Sequence, residues 1–250
     1  MPVDLGTTVA GVHLGFPAMN TPGSATRPEE LRALAASRAG AIVLRTATQH
    51  PFVHPEFRSL HTPGFDKLVP LARELAAGCD KPVIASVAGS SGDEYATVGR
   101  AFAEAGAALV EANVAETWVD TTAAPFEAPG RLRELLERLV RECPVPVTVR
   151  LPDRMRIGHA AVADELAAIG VRVVVIRNDF TRFEKFLLET GATFEVIAVG
   201  GIAYGWDLQR TLAKGARAVQ IGDVLVGEGP RVFARLEREL RRARGERDVT

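Results

Sequence analysis

Two apolar runs late in the chain end on bare backbone: "VIAVGG" closes on Gly200 and Gly201, and "AVQIGD" closes on Gly222 and Asp223. Glycine at a strand end lets a ligand approach the main chain with no Cβ in the way, and amide N–H groups exposed there suit an anion such as phosphate. Beyond the second run, "DVLVGEGP" can form one helical turn whose first N–H groups lack helical partners and add donors. The plain alternative is a pair of tight strand-to-helix turns with no ligand. Asp223 works against an anion: its carboxylate would repel a phosphate, or cap the short helix and occupy the same donors.

A second cluster lies on one loop, where His50, His54 and His61 accompany Glu56 in "HPFVHPEFRSLH". The segment has neither the i, i+4 histidine spacing on a helix nor a cysteine partner, so no metal is expected and the histidines read as part of a lid over substrate. His13, inside an apolar run, reads as a core residue. Asp153 and Arg154 follow a strand and would face a pocket mouth. Tyr204 and Trp206 could pack on a bound ring or cover a helix. Cys79 and Cys143 suggest no disulfide framework and read as reduced packing residues.

The elements that must position these residues alternate. Apolar runs bounded by turn residues, as expected of buried parallel strands, fall at 11–19, 40–47, 82–89, 108–114, 146–152, 171–178, 195–201 and 218–223. Helical patterns separate them, among them "RPEELRALAASRAG", with Pro28 in its first turn and Gly40 past its end. Eight β–α units in 250 residues predict an α/β fold, a single (β/α)8 TIM barrel over residues 1–250 with a charged C-terminal helix and a short tail from about 243. A doubly wound sheet would need G-x-G-x-x-G on its first turn, and "PAMNTPGSA" lacks it. Long loops at 46–64 and 115–129 lie on the face where barrel strands end, the catalytic face of this architecture.

Composition excludes several classes. A net charge of −1 and Glu interleaved with Arg in "RLERELRRARGERD" argue against nucleic acid and anionic membrane as partners. With 47% hydrophobic residues a sizeable core is available, yet no run is long enough to span a bilayer, so a cytoplasmic protein with a small-molecule substrate is expected.

"AVGGIAYGWDLQRTLAKGARAVQIGDVLVGEGPRVFARLEREL" resembles the C-terminal part of the dihydroorotate dehydrogenases, class 1 in particular. "FPAMNTPGSATRPEELRALAASRAGAIVLRTAT", "PVIASVAGSSGDEY" and "VTVRLP" extend the resemblance nearly end to end. It implies a barrel with flavin mononucleotide (FMN) across the strand ends, hydride transfer between a small anionic, pyrimidine-like substrate and flavin, and a homodimer. It places Gly200, Gly201 and Gly222 at the phosphate and the backbone of the "MNTPG" loop (19–23), with Asn20 and Thr21, near the isoalloxazine. Asn113 and Asn178 match substrate-binding asparagines.

The chain also departs from the family. Arg45 and Arg150 stand where two lysines lie beside the flavin. Asp223 replaces a small hydroxyl residue at the phosphate. In "VEANVAETWVD", Glu116 falls where the family has its cysteine base, making it the candidate base, with Trp118 for a small polar partner. The loop near 58–64 is shortened, and the family's glycine-rich insert between the sixth and seventh strands is absent. These departures keep an alternative open: a catalytically inactive or flavin-free barrel, whether binding protein, lyase or isomerase, that uses the same phosphate corner.

Overall fold

The computed structural model describes residues 4–53, 61–115, 130–153, 155, 157–191 and 193–245, except the side chains of Phe180 and Thr181. The first apolar run forms more than one strand. β1 (Thr7–Val9) and β2 (Val12–Leu14) pair antiparallel through a two-residue turn at Ala10 and Gly11, whose φ angles are 49° and 81°. Positive φ at both turn positions matches the twist of a tight hairpin. β3 (Ala18–Asn20) then enters the barrel as its first strand. The reversal turns His13 outward, so it is exposed on the hairpin instead of lying in the core.

The remaining units follow in the predicted order. α1 (Pro28–Ala35) precedes β4 (Ile42–Val43), and α2 (Val69–Gly78), with Pro70 in its first turn, precedes β5 (Val83–Val87). α3 (Gly92–Glu104) leads to β6 (Leu109–Asn113), and α4 (Arg131–Glu142) to β7 (Val147–Arg150). α5 (His159–Ala168) leads to β8 (Val173–Arg177), and a π-helical turn with α6 (Lys185–Thr190) to β9 (Glu195–Val199). α7 (Gly205–Ala213), β10 (Ala216–Ile221), the short α8 (Asp223–Glu228) and α9 (Arg231–Ala243) complete the chain. α1 stops well before Gly40, which caps no helix; its N–H donates to the Ala18 carbonyl at 2.8 Å.

β3 to β10 form one eight-stranded parallel sheet, ordered β3-β10-β9-β8-β7-β6-β5-β4, with helices between the strands: a nearly closed (β/α)8 barrel. Side chains alternate across each strand. Met19, Val43, Ile84, Leu109, Val173, Ile197 and Ala218 form an apolar layer inside, in one cluster with Val9 and Leu14 of the hairpin. Glu195, opening β9, accepts the Ala10 N–H at 2.8 Å, so the hairpin plugs the amino end of the barrel. The opposite strand faces pack against the helices in a second, larger cluster that includes Phe102, Phe183, Phe186 and Phe233.

β3 and β4 share no strand ladder, and a side chain bridges that joint. Asn20 Nδ2 donates to the Val43 carbonyl at 2.7 Å, and Asn20 Oδ1 accepts the Val43 N–H at 2.8 Å. The amide imitates a missing strand residue. Replacing Asn20 with Ala leaves both Val43 groups buried and unpaired, so unfolding free energy should fall by about 2–4 kcal/mol in urea titrations. A loss below about 0.5 kcal/mol, the range of an indifferent surface change, would mean that other contacts hold the joint.

Candidate functional site

The carboxyl ends of the strands surround a cavity of about 660 Å³, within the range of small-molecule and cofactor sites. One end is the glycine corner. Gly200 and Gly201 both take positive φ, 75° and 70°, a conformation that favours glycine. The two differ in use. The Gly200 N–H continues the sheet by donating to the Gln220 carbonyl at 2.9 Å, so this amide is not available to an anion as the sequence suggested. The N–H groups of Gly201 and Gly222 have no protein acceptor among the described residues. Asp223 opens α8 and lines the cavity, yet it is exposed, and its side chain caps no helical N–H. The donors it could have taken up stay free of it.

Asn178 braces this corner. Its Nδ2 donates to the Gly200 carbonyl and to Thr211 Oγ1, both at 3.1 Å, leaving only Oδ1 to meet a ligand. Asn113 is buried in the cavity wall; Nδ2 donates to Thr46 Oγ1 at 3.2 Å and Oδ1 accepts the Ala115 N–H at 3.1 Å. One Nδ2 hydrogen of Asn113 is unassigned. Thr21 lines the cavity beside Pro22 and Gly23, whereas Asn20 does not. Asn20 shares the outer face of β3 with Ala18, and both of its Nδ2 hydrogens are used, on Val43 and on the Thr21 carbonyl. The expectation of Asn20 near a flavin therefore does not extend to its side chain.

Four arginines line the cavity: Arg45, Arg150, Arg177 and Arg182. Arg177 and Arg182 are matched by acids. Arg177 Nη1 lies 3.2 Å from Asp153 Oδ2, and Arg182 pairs with Asp179. Arg45 donates to the His61 carbonyl, and burial lowers the pKa of its guanidinium. Arg150 reaches inward: its Nη1 donates to Gln220 Oε1 at 2.7 Å and lies 3.7 Å from Glu111 Oε1. Glu111 is wholly buried; desolvation raises its pKa, against the pull of Arg150 and of hydrogen bonds from Gln220 and Ser86. Glu111 and Gln220 went unnoticed in the sequence, although each is a lone polar residue inside an apolar run, "ALVEANV" and "AVQIGD".

Other expected residues lie apart. Tyr204 and Trp206 are exposed, each facing an arginine, Arg235 and Arg210 respectively, and neither lines the cavity. Glu116, Trp118, His54, Glu56 and Arg154 lie outside the described residues. Among the described residues no cluster of His, Cys, Asp or Glu could hold a metal ion, and no helix is long and apolar enough to cross a membrane.

Comparison with known proteins adds a family to this geometry. The chain is 28% identical to a dihydroorotate dehydrogenase (fumarate) of Trypanosoma cruzi, over 90% of this chain and 88% of that protein. It is also 28% identical to the catalytic subunit of a dihydroorotate dehydrogenase B (NAD(+)) of Desulforudis audaxviator, over 100% of this chain and 96% of the relative. The chain is thus similar, at low identity, to dihydroorotate dehydrogenases of both the fumarate and the NAD(+) type. The ligand-free Eimeria tenella enzyme superposes on this barrel with a TM-score of 0.80 at 16% identity, over 96% of this chain and 87% of that one. The same enzyme in complex with ferulenol gives 0.77 over 95% and 83%. No protein-family model matches the chain.

The alignment to the Desulforudis protein runs over 302 positions against 250 residues here, so at least 52 positions have no counterpart. Residues 178–194, which carry the π-helical turn and α6, connect β8 to β9.

The glycine corner makes a test of its own. A Cβ on Gly201 would lie 3.1 Å from Asn178 Nδ2, whereas one on Gly200 meets nothing within 4 Å. Both Ala variants bear the strain of positive φ, about 1–2 kcal/mol. Gly201→Ala should lose more stability than Gly200→Ala in urea titrations, because it also pushes Asn178 off the Gly200 carbonyl. Equal losses would show that Asn178 yields without consequence.

Proposed function

We propose that this protein is an FMN-dependent oxidoreductase of the dihydroorotate dehydrogenase type acting on a small, planar, anionic substrate. The observation that supports this most is the division of the cavity: unpartnered amides at Gly201 and Gly222 mark one end, and the guanidinium groups of Arg45 and Arg150 line it further in. Gly222 strengthens the reading. Its φ is −120° and a Cβ there would sit at an ordinary 3.4 Å from Thr21 Oγ1. Space therefore does not demand glycine, and the bare backbone there lets a ligand approach closely.

The residues present fit FMN. Its phosphate suits the Gly201 and Gly222 amides, which the exposed Asp223 does not occupy, and Thr21–Gly23, Arg45 and Arg150 are the residues that would line its ring. Bound flavin would supply a two-electron acceptor or donor of hydride. The chain does the rest. Arg45 and Arg150 hold negative charge on ring and substrate, and each guanidinium offers planar, multiple donors. Asn113 has a hydrogen left to donate and Asn178 an oxygen left to accept, so the pair can read an adjoining acceptor and donor on one substrate edge. Glu116, aligned with the family's base, is the proposed proton acceptor. A cytoplasmic homodimer belongs to the same proposal.

Freshly purified protein should show flavin absorbance or gain it on adding FMN. A colourless protein that takes up none at saturation returns the barrel to flavin-free chemistry or to ligand binding alone. Asp223→Asn should tighten FMN binding roughly two- to fivefold at low ionic strength, the size of an exposed charge interaction, and the gain should shrink in salt. An unchanged dissociation constant at low salt would place the phosphate elsewhere. If Glu116 is the base, Glu116→Gln should abolish flavin reduction by substrate and leave flavin content intact; wild-type reduction kinetics would remove that role.

A further inference from the structure

The interior face of β6 carries Glu111 between the apolar Leu109 below and the cavity residue Asn113 above. A carboxyl with no exposed surface is costly unless donors surround it. Gln220 Nε2 donates to Glu111 Oε2 at 2.5 Å, and Gln220 Oε1 accepts from Arg150 Nη1 at 2.7 Å. The Arg150 guanidinium is also 3.7 Å from Glu111 Oε1, which has no hydrogen-bond partner among the described residues.

This chain of contacts has a direction. Arginine only donates, and the Glu111 carboxyl accepts at Oε2. The amide of Gln220, between them, must therefore turn its oxygen to Arg150 and its nitrogen to Glu111. We propose that Glu111 is a positioning residue: by fixing the orientation of the Gln220 amide it holds the Arg150 guanidinium at the cavity floor, facing the flavin. The inference rests on the functional reading above, in that FMN is taken as the occupant.

Exchange of groups along the chain separates this role from simple packing. In Glu111→Gln the new amide can accept from Gln220 only by turning its own NH2 toward Arg150. If it instead donates to Gln220, that amide flips and presents its NH2 to Arg150. Either arrangement sets a donor against the guanidinium. Adding Gln220→Glu restores the polarity, because the carboxylate it introduces on β10 can accept from Arg150 and from the new amide on β6 together.

The experiment measures FMN dissociation constants by quenching of flavin fluorescence, with melting temperatures recorded alongside. Glu111→Gln should weaken FMN binding at least tenfold, and the double exchange should return it to within about threefold of wild type. In an Arg150→Met background, Glu111→Gln should change FMN affinity less than twofold, since its effect passes through Arg150. If Glu111→Gln does not fold, Gln220→Met cuts the same chain at its neutral link and carries the same tenfold expectation.

Wild-type FMN affinity in Glu111→Gln or Gln220→Met, or no recovery in a folded double exchange, overturns the inference and leaves the functional reading standing. A wild-type protein that takes up no FMN overturns both.

Discussion

Closure of the strand ring at one unladdered joint is the interaction on which the cavity depends. Seven neighbouring pairs of barrel strands are joined by ladders of backbone hydrogen bonds. The eighth, between β3 and β4, relies on the Asn20 amide against Val43 and on the Gly40 N–H to the Ala18 carbonyl. An open sheet would let the strand ends splay, and the residues that converge above the barrel come from every part of the chain. Thr21 follows β3, Arg45 lies just past β4, and Arg150 and Gly201 belong to strand ends far along the sequence. Their meeting is a consequence of closure.

Within the closed ring, polarity is stratified. The amino end is apolar and stoppered by the β1–β2 hairpin, so no water is needed to satisfy groups there. Two residues further along several strands the interior turns polar, with Ser86, Glu111, Thr148 and Gln220 all buried. That layer underlies the cavity, and contacts within it link three strands: Glu111 on β6, Gln220 on β10 and Arg150 on β7. Buried charges of this kind contribute little net stability when paired but are strongly destabilising when left alone. Their presence under the pocket marks the floor as functional architecture more than as core.

The barrel is the part of the molecule shared with the solved dihydroorotate dehydrogenase structures, and the groups at its cavity are set by this chain's own contacts. Arg45 and Arg150 are wider and more directional than ammonium groups, and each is fixed by a partner, His61 for the one and Gln220 for the other. The mouth adds Arg177 and Arg182 held by Asp153 and Asp179, which leaves this rim close to charge-balanced. Arg45 and Arg150 also line the cavity, the latter beside the Glu111 carboxyl.

The order of strands and helices, the barrel class and the positions of Gly200, Gly201 and Gly222 at strand ends were determined by the sequence alone, because apolar runs and glycine stops are local signals. The hairpin at the start was not legible as such: a run at 11–19 looks continuous, yet Val12–Leu14 pairs back on Thr7–Val9 and only Ala18–Asn20 enters the barrel. Only the tertiary structure decided which polar groups remain free. It assigned the Gly200 amide to the sheet, turned Asn20 to the outer face to bridge the joint, left Asp223 in solvent and joined Glu111 to Gln220 across 109 residues of chain. A residue's type gives its donors and acceptors. Whether they are still available depends on neighbours that are distant in sequence and adjacent only once the ring has closed.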